Sequence, residues 1–436
     1  MSEKHHEGHL RREIGAAGTA FMVLNGLIGA SIFALPATLM ADLGLFSPWM
    51  FPVVGLLFIA IVLTFGELAA YFSATGGPVL YTYTAFGPLV GFQTGWLLYL
   101  GRLTAMAANT NVLIAYAGFL IPGISDGPGH TVAVVAVIGG LGVANWYGVK
   151  GAIRILGILS TLKVLPVLLL IGFGLPHVDM AALIPDGLPN LEGKGASILL
   201  LMYALVGFEG ALVAAGETKN PRRTIPRVLV STVLAITVFY SLIQLTYVAV
   251  NPPLAEGSRP LVEMARLLAG SIGAVGITLA AAFSIGGNLM ANMVAVPRMT
   301  FAMAEEKTLP KWFGHLHEKY NTPTNSILFY VVVTLVLTLT GSFVWLAIVS
   351  TLARLVAYAL CIVALPIIRR NADAKTKSDV KRLPGGYAIP LVGLALCIWA
   401  MSYSALESWV MLGAMMALGT VLSYLGRGGH RDASND

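Results

Sequence analysis

The stretch GLIGASIF, Gly26 to Phe33, lies inside an otherwise continuous apolar run and puts two glycines and a serine where a membrane helix should be most regular. In hydrocarbon, each unsatisfied backbone polar group costs on the order of several kcal/mol, so such an interruption survives only where the backbone is buried in protein or lines a cavity. The stretch therefore predicts a discontinuous helix whose break forms a ligand site.

The rest of the chain fits that reading. With 57% hydrophobic and 11% charged residues over 436 positions, the sequence is too apolar for a soluble fold. Its apolar runs recur at about the 20-residue length needed to span a bilayer. They predict an all-α polytopic membrane protein with twelve spans, at 14–40, 46–71, 88–120, 131–148, 152–174, 196–217, 226–250, 268–304, 325–341, 343–368, 388–405 and 408–426. The third and eighth are long enough to be tilted or to continue beyond the membrane.

Charge orients the spans. With the N-terminus inside, Lys194, Arg259 and Arg266 fall outside and Arg102, Lys163, Arg298 and Arg354 fall within spans; Arg154 and Arg227 stand at the cytoplasmic edges of the fifth and seventh spans, and every other Lys and Arg lies on the cytoplasmic side. This positive-inside bias places both termini in the cytoplasm of a cell with a multi-pass protein in its inner membrane. The net charge of +6 is thus a topology signal, and no nucleic-acid partner is implied. The polar start MSEKHHEGHLRRE runs straight into a full-length span, so no cleavable signal peptide is expected. Cys361 and Cys397 sit in apolar segments without metal-site spacing, and no nucleophile triad, phosphate loop, metal site or cofactor motif is present, which argues against an enzyme.

Two halves of five spans are discernible, 14–174 and 196–370, each opening on a Gly-interrupted helix: GLIGASIF in the first and LVGFEGAL, Leu205 to Leu212, in the second. An odd number of spans makes the second half enter from the opposite side, the inverted-repeat plan of many secondary transporters. Residues 1–13 and 427–436 form cytoplasmic tails. The last two spans, 388–426, lie outside the repeat and serve packing or self-association, consistent with a monomer or a homodimer.

Four motifs occur together in order. They are GLIGASIFALPA; GELAAYFSATGGPVLYTYTAFGP, Gly66 to Pro88; LVGFEGALVAAGETKNPRRTIPR, Leu205 to Arg227; and PRMTFAMAEEKTLPKWFGHLHEKYNTP, Pro297 to Pro323. In these the chain resembles the amino acid-polyamine-organocation superfamily of permeases along nearly all of its first ten spans. The resemblance implies a LeuT-type fold of 5+5 inverted repeats that works by alternating access, with an amino acid held at the breaks of helices one and six. Arg102 and Arg354 depart from the general pattern.

Individual residues then acquire expected roles. The break in helix one exposes amides at the positive end of a half-helix, so Ile28, Gly29, Ala30 and Ser31 are candidate donors to a substrate carboxylate, with the Ser31 hydroxyl and nearby Asn25 as polar neighbours. The alternative is a Gly-mediated helix crossing. In helix six, Val206, Gly207 and Phe208 offer carbonyls to an ammonium group, and Tyr203 and Phe208 are candidate walls, packing being the alternative.

Glu209 at mid-depth must be neutralised by a proton or a basic partner. It reads either as a proton or gate residue, like the helix-six glutamate of related antiporters, or as a permanent salt bridge to Arg102 or Arg354. Lys163 places one ammonium among aliphatic residues; the resemblance implies that it replaces a sodium ion, which favours sodium-independent transport with a proton or by exchange. A fixed structural cation is the alternative. Arg102 and Arg354 either bind a second substrate carboxylate or pair with Glu209 in an outer gate, the latter being favoured. Asn109, Asn288 and Asn292 are expected to hydrogen-bond between helices. Glu67, Glu217, Lys219, Arg222, Arg223, Arg227 and Arg298 read as an intracellular gate network or as headgroup anchors.

The expectation is a secondary transporter of amino acids. A polyamine or organic cation transporter, or a non-transporting sensor of the same fold, is the alternative.

Overall fold

A computed structural model describes residues 12–72, 75–148, 164–185, 187, 189–253, 259–380 and 382–431. Lys163 lies outside the described residues, as does the first part of the fifth expected span. Among the described residues the chain is helical, and an isolated parallel bridge between Ile14 and Thr218 is its one β feature.

The first apolar run is two helices, α1 (Ala16–Leu27) and α2 (Ser31–Leu43), separated by Ile28, Gly29 and Ala30. α3 (Ser47–Tyr71) follows through a short 3-10 turn. Next come α4 (Pro78–Phe86), α5 (Pro88–Ala117) and α6 (Gly127–Trp146). α4 was not anticipated, because its nine residues sit between helices in a stretch rich in glycine. Its start and that of α5 share one device: a glycine at positive φ, Gly77 at 50° and Gly87 at 86°, turns the chain into a proline at the first helical position. Proline there forfeits only an amide that has no intrahelical acceptor, and its φ is already helical.

α7 (Val164–Gly174) precedes the second interrupted run, α8 (Gly195–Leu205) and α9 (Glu209–Val213), which continues as a 3-10 turn through Glu217. These two segments meet at 41°. α10 (Pro221–Val250) and α11 (Pro260–Glu305) are long. The long span expected at 268–304 is continuous helix after a kink at Ala269 and Gly270, where Gly270 takes φ 64°, and a separate helical segment beginning at Pro260 precedes it. α12 (Thr324–Thr340), α13 (Phe343–Asn371), α14 (Ala388–Ser402) and α15 (Leu406–Arg431) complete the bundle.

Among the described residues six helical stretches are long and apolar enough to cross a membrane, or seven when α8 and α9 count as one bent span, and four shorter apolar helices accompany them. The protein is therefore an all-α polytopic membrane protein. Its outer faces present large apolar side chains such as Leu56, Ile272 and Val410, which suits contact with lipid. α10 packs along α3, and α13 packs along α5. Threonines within these helices, including Thr104, Thr110 and Thr237, return their hydroxyls to the carbonyl four residues earlier, so they bring no unpaired donor into the apolar interior. Cys361 and Cys397 are free thiols in this core.

Candidate functional site

The two helix breaks meet back to back. A Cβ placed on Gly26 would stand 2.4 Å from the carbonyl oxygen of Gly207, and one on Gly207 would stand 2.5 Å from that of Gly26. Gly207 also adopts φ 119°, a conformation closed to ordinary side chains. Two glycines therefore allow α1 and the α8–α9 break to touch through their main chains.

Beside this contact lies a cavity of about 530 Å³. Asn25, Gly29, Ala30, Ser31, Tyr203, Val206 and Gly207 line it, together with Glu209, Arg102 and Arg354. It extends past Ala295 and Met299 to Gly76, Met303 and Glu306. Those residues stand at the end of the bundle that also carries the start of the chain, where Ile14 exchanges main-chain hydrogen bonds with Glu217 and Lys219. That end is called the N-terminal face below. On the other side of the break the packing is aromatic: Tyr203 meets Phe343 edge-on at 6.1 Å, Phe33 meets Tyr116 at 5.6 Å, and Tyr116 Oη donates to the Phe33 carbonyl.

At the helix-one break, Gly29, Ala30 and Ser31 have amides at the start of α2, where no intrahelical acceptor exists. Ile28 departs from expectation. Its amide donates to the Leu24 carbonyl at 2.8 Å and so completes α1, and its side chain is not among the cavity residues. The Ser31 hydroxyl is already engaged with Tyr240 Oη at 2.5 Å, and Tyr240 also reaches the Leu27 carbonyl. Tyr240 was missed by sequence reading, being one aromatic residue among many in an apolar helix.

At the helix-six break, Phe208 also departs from expectation. It is fully buried behind the cavity, edge-on to Phe58 and Phe65 at 5.8 and 5.4 Å and 5.2 Å from the ring of Tyr358, and its carbonyl accepts from Ala211. Edge-to-face aromatic pairs contribute about 0.5–1.5 kcal/mol each beyond simple burial, so Phe208 anchors the broken helix. Tyr203 keeps its place in the wall. Its hydroxyl donates to Asn109 Oδ1 at 2.9 Å, Asn109 donates to Asn288 Oδ1 at 3.1 Å, and Asn288 donates to the Asn25 carbonyl at 3.3 Å. Asn292 donates to Asn288 as well. A hydrogen-bonded chain thus links α8, α5, α11 and the last turn of α1.

Glu209 is 1% exposed, hydrogen-bonded by three groups and faced by a fourth. Arg354 Nε approaches Oε1 at 3.3 Å, Arg102 Nη2 lies 3.8 Å from the same oxygen, Tyr358 Oη donates to Oε2 at 2.7 Å, and the Gly207 amide donates to Oε2 at 3.1 Å. The carboxylate therefore caps an amide freed by the break as well as pairing with cations. Arg354 is fixed further by Ser350, whose hydroxyl accepts from its Nη1 and donates to the Gly101 carbonyl. Tyr358 was also missed, although Ser350, Arg354 and Tyr358 repeat every four residues along one face of α13, a spacing that could have revealed it.

The cluster lies on the cavity's N-terminal-face side. Arg102 precedes Asn109 by seven residues on α5, or about 10 Å along the helix toward Pro88. The ion-pair cluster and the Tyr203–Asn109–Asn288 chain therefore sit at different depths along α5. The gate network also changes: Glu67 forms a two-pronged pair with Arg369 at 2.8 Å for each bond and accepts from the Leu383 amide, while Arg369 donates to the Gly386 carbonyl. Arg369 was not among the expected members, because it lies far from Glu67 in sequence.

Comparison with known proteins gives the family. The profile of the amino acid permease family matches residues 14–419. The chain is 28% identical over 399 residues to a serine/threonine exchanger of Bacillus subtilis, covering 88% of this chain and 87% of the exchanger. It is 25% identical over 444 residues to a branched-chain amino acid permease of the same organism, covering 96% and 94%. An uncharacterized transporter of Mycobacterium tuberculosis is 28% identical over 400 residues, covering 89% and 85%. The chain thus belongs to the amino acid permease family of the amino acid-polyamine-organocation superfamily, and is a membrane transport protein rather than an enzyme.

Proposed function

We propose that this protein is a secondary active transporter that carries an amino acid across the cytoplasmic membrane by alternating access, without sodium, either in exchange for a related solute or with a proton. The observation that carries this reading is the pair of facing breaks at Ile28–Ala30 and Val206–Phe208, joined through Gly26 and Gly207 at one end of the cavity. The amides of Gly29, Ala30 and Ser31 suit a substrate carboxylate, because the start of α2 adds the positive pole of its dipole. The carbonyls that end α8 suit an ammonium group.

The proposed architecture is twelve spans with a 5+5 inverted repeat, the second break being the counterpart of the first. With both termini cytoplasmic, the opening toward Met303 and Glu306 makes this the inward-open state. Transport then requires α1, α3, the α8–α9 pair and α10 to rock against a scaffold containing α5, α6, α11 and α12, closing the N-terminal face and parting the aromatic packing on the other side. Lys163 is proposed to stand in for sodium.

Neutralisation of Glu209 by two guanidiniums weighs against a polyamine, which needs unpaired carboxylates. Uptake of labelled amino acids into proteoliposomes tests the proposal. Saturable uptake is expected, accelerated by internal amino acid or an inward proton gradient, unchanged when choline replaces sodium, and abolished by Gly29→Trp, which fills the cavity between Asn109 and Asn288. Binding without flux would sink the transport reading, and a strict sodium requirement would sink the coupling.

A further inference from the structure

The charges around the cavity do not balance, and their geometry shows where the excess lies. Two guanidiniums face one carboxylate, but they share it unequally. Arg354 is buried and hydrogen-bonded to both Glu209 and Ser350. The oxygens of Glu209 are further occupied by Tyr358 and the Gly207 amide. Arg102 comes second, its 3.8 Å approach being too long for a hydrogen bond.

Among the described residues the Arg102 side chain makes no hydrogen bond, yet it carries five N–H donors and is 21% exposed beside the cavity that it lines. The remaining charged side chain in the lining among the described residues, Glu306, is exposed at the mouth on the N-terminal face. Among the described residues one positive charge is therefore held inside a membrane protein with no full partner, an arrangement that is costly in a low-dielectric interior. The zwitterionic part of an amino acid leaves that charge unbalanced. An added carboxylate cancels it, and a guanidinium holds a carboxylate through two parallel N–H bonds.

The placement suits this role. The Gly207 amide bonds Oε2 of Glu209 at 3.1 Å while Arg102 Nη2 lies 3.8 Å from Oε1, so the guanidinium stands within reach of the helix-six break, bridged to it by one carboxylate. Gly210 contributes to the space: a Cβ there would lie 3.6 Å from Arg102 Nη2. Asn109, at the Gly29 end of the cavity, is about two helical turns from Arg102, a span covered by an extended dicarboxylic amino acid together with the arginine's own length.

We infer that Arg102 determines specificity by receiving the side-chain carboxylate of an acidic amino acid, while the two breaks hold its α-carboxylate and α-ammonium. This rests on the transport reading above and sharpens its substrate class. Arg354 has the separate task of holding Glu209.

The test compares L-glutamate with L-glutamine, which are nearly isosteric and differ in charge, in proteoliposomes containing the full chain. Wild-type protein is expected to favour glutamate by about tenfold or more in kcat/KM. Arg102→Gln is expected to lower the glutamate-to-glutamine ratio by about tenfold or more, and Arg102→Lys to keep it in favour of glutamate. A purely structural arginine would change both substrates together and leave the ratio where it was, which overturns the inference. Preference of the wild type for glutamine, or chloride-stimulated uptake of glutamine alone, overturns it as well while leaving amino acid transport intact. Absence of uptake for any amino acid would instead remove the transport reading. Should Arg102→Gln not fold, thermal stabilisation of the wild type decides: selective stabilisation by glutamate supports the assignment, and selective stabilisation by glutamine overturns it.

Discussion

Gly26 and Gly207 touch through their main chains, each leaving no room for a Cβ against the other's carbonyl. The contact sets the distance between the two half-helices and thereby the width of the proposed substrate site. It also separates two glycines of one motif. Gly26 serves packing, whereas Gly29 borders the cavity, where an added Cβ would make ordinary contact with Asn109 at 3.4 Å.

Substitution should reveal this difference. Gly26→Ala forces the two breaks apart and is expected to cost about 1–3 kcal/mol of stability with loss of most uptake. Gly29→Ala is expected to keep the fold and reduce uptake only a few-fold, by about 1 kcal/mol or less in transition-state terms. Heating in detergent followed by size-exclusion chromatography, together with proteoliposome uptake, checks both. Equal damage from the two changes would contradict the assignment.

Glu209 tests the ion-pair cluster. Glu209→Gln leaves Arg354 buried without its counter-charge and is expected to destabilise the protein by about 3–5 kcal/mol. Adding Arg354→Gln removes the orphaned charge, so the double variant should be more stable than the single one. A double-mutant cycle on thermal stability measures this coupling, and strict additivity would show that the pair does not matter.

Asn109 joins the wall of the cavity to its scaffold. Asn109→Ala leaves the Tyr203 hydroxyl and the Asn288 side chain each short of a partner, and is expected to cost about 1–3 kcal/mol. Tyr203→Phe removes one end of the chain and should cost less, about 1 kcal/mol. Thermal stability ranks the two variants, and the reverse order would exclude a linear chain running through Asn109.

Glu67 and Arg369 clasp α3 to α13 and to the following loop, through the Leu383 amide and the Gly386 carbonyl. Glu67→Gln is expected to lose about 3–5 kcal/mol because Arg369 is left buried. Limited proteolysis of the 380–387 segment should speed up in this variant, and an unchanged cleavage rate would show that the clasp does not hold the loop.

Much of this molecule is written locally. The apolar runs, the glycine interruptions at Gly26–Phe33 and Leu205–Leu212, and the Gly-Pro starts of α4 and α5 are consequences of short-range backbone chemistry, and they can be read along the chain. The placement of Gly29, Ala30, Ser31, Tyr203, Val206 and Gly207 around one cavity follows from the same signals. Ile28 and Phe208 show the limit. They flank the breaks in sequence, yet Ile28 still completes a helical hydrogen bond and Phe208 turns into an aromatic core, because which side of a broken helix faces a cavity depends on the neighbouring helices.

Only the tertiary structure decided how the charges are shared. Composition requires a buried acid in helix six to find a cation, but the choice between Arg102 and Arg354 depends on rotamers and helix packing: Ser350 and Gly101 hold Arg354 in place, and Tyr358 and the Gly207 amide complete the carboxylate. Glu67 likewise finds Arg369 across a separation of 302 residues. Backbone breaks are local events and so are visible in a sequence; partners brought together by packing are settled by the fold.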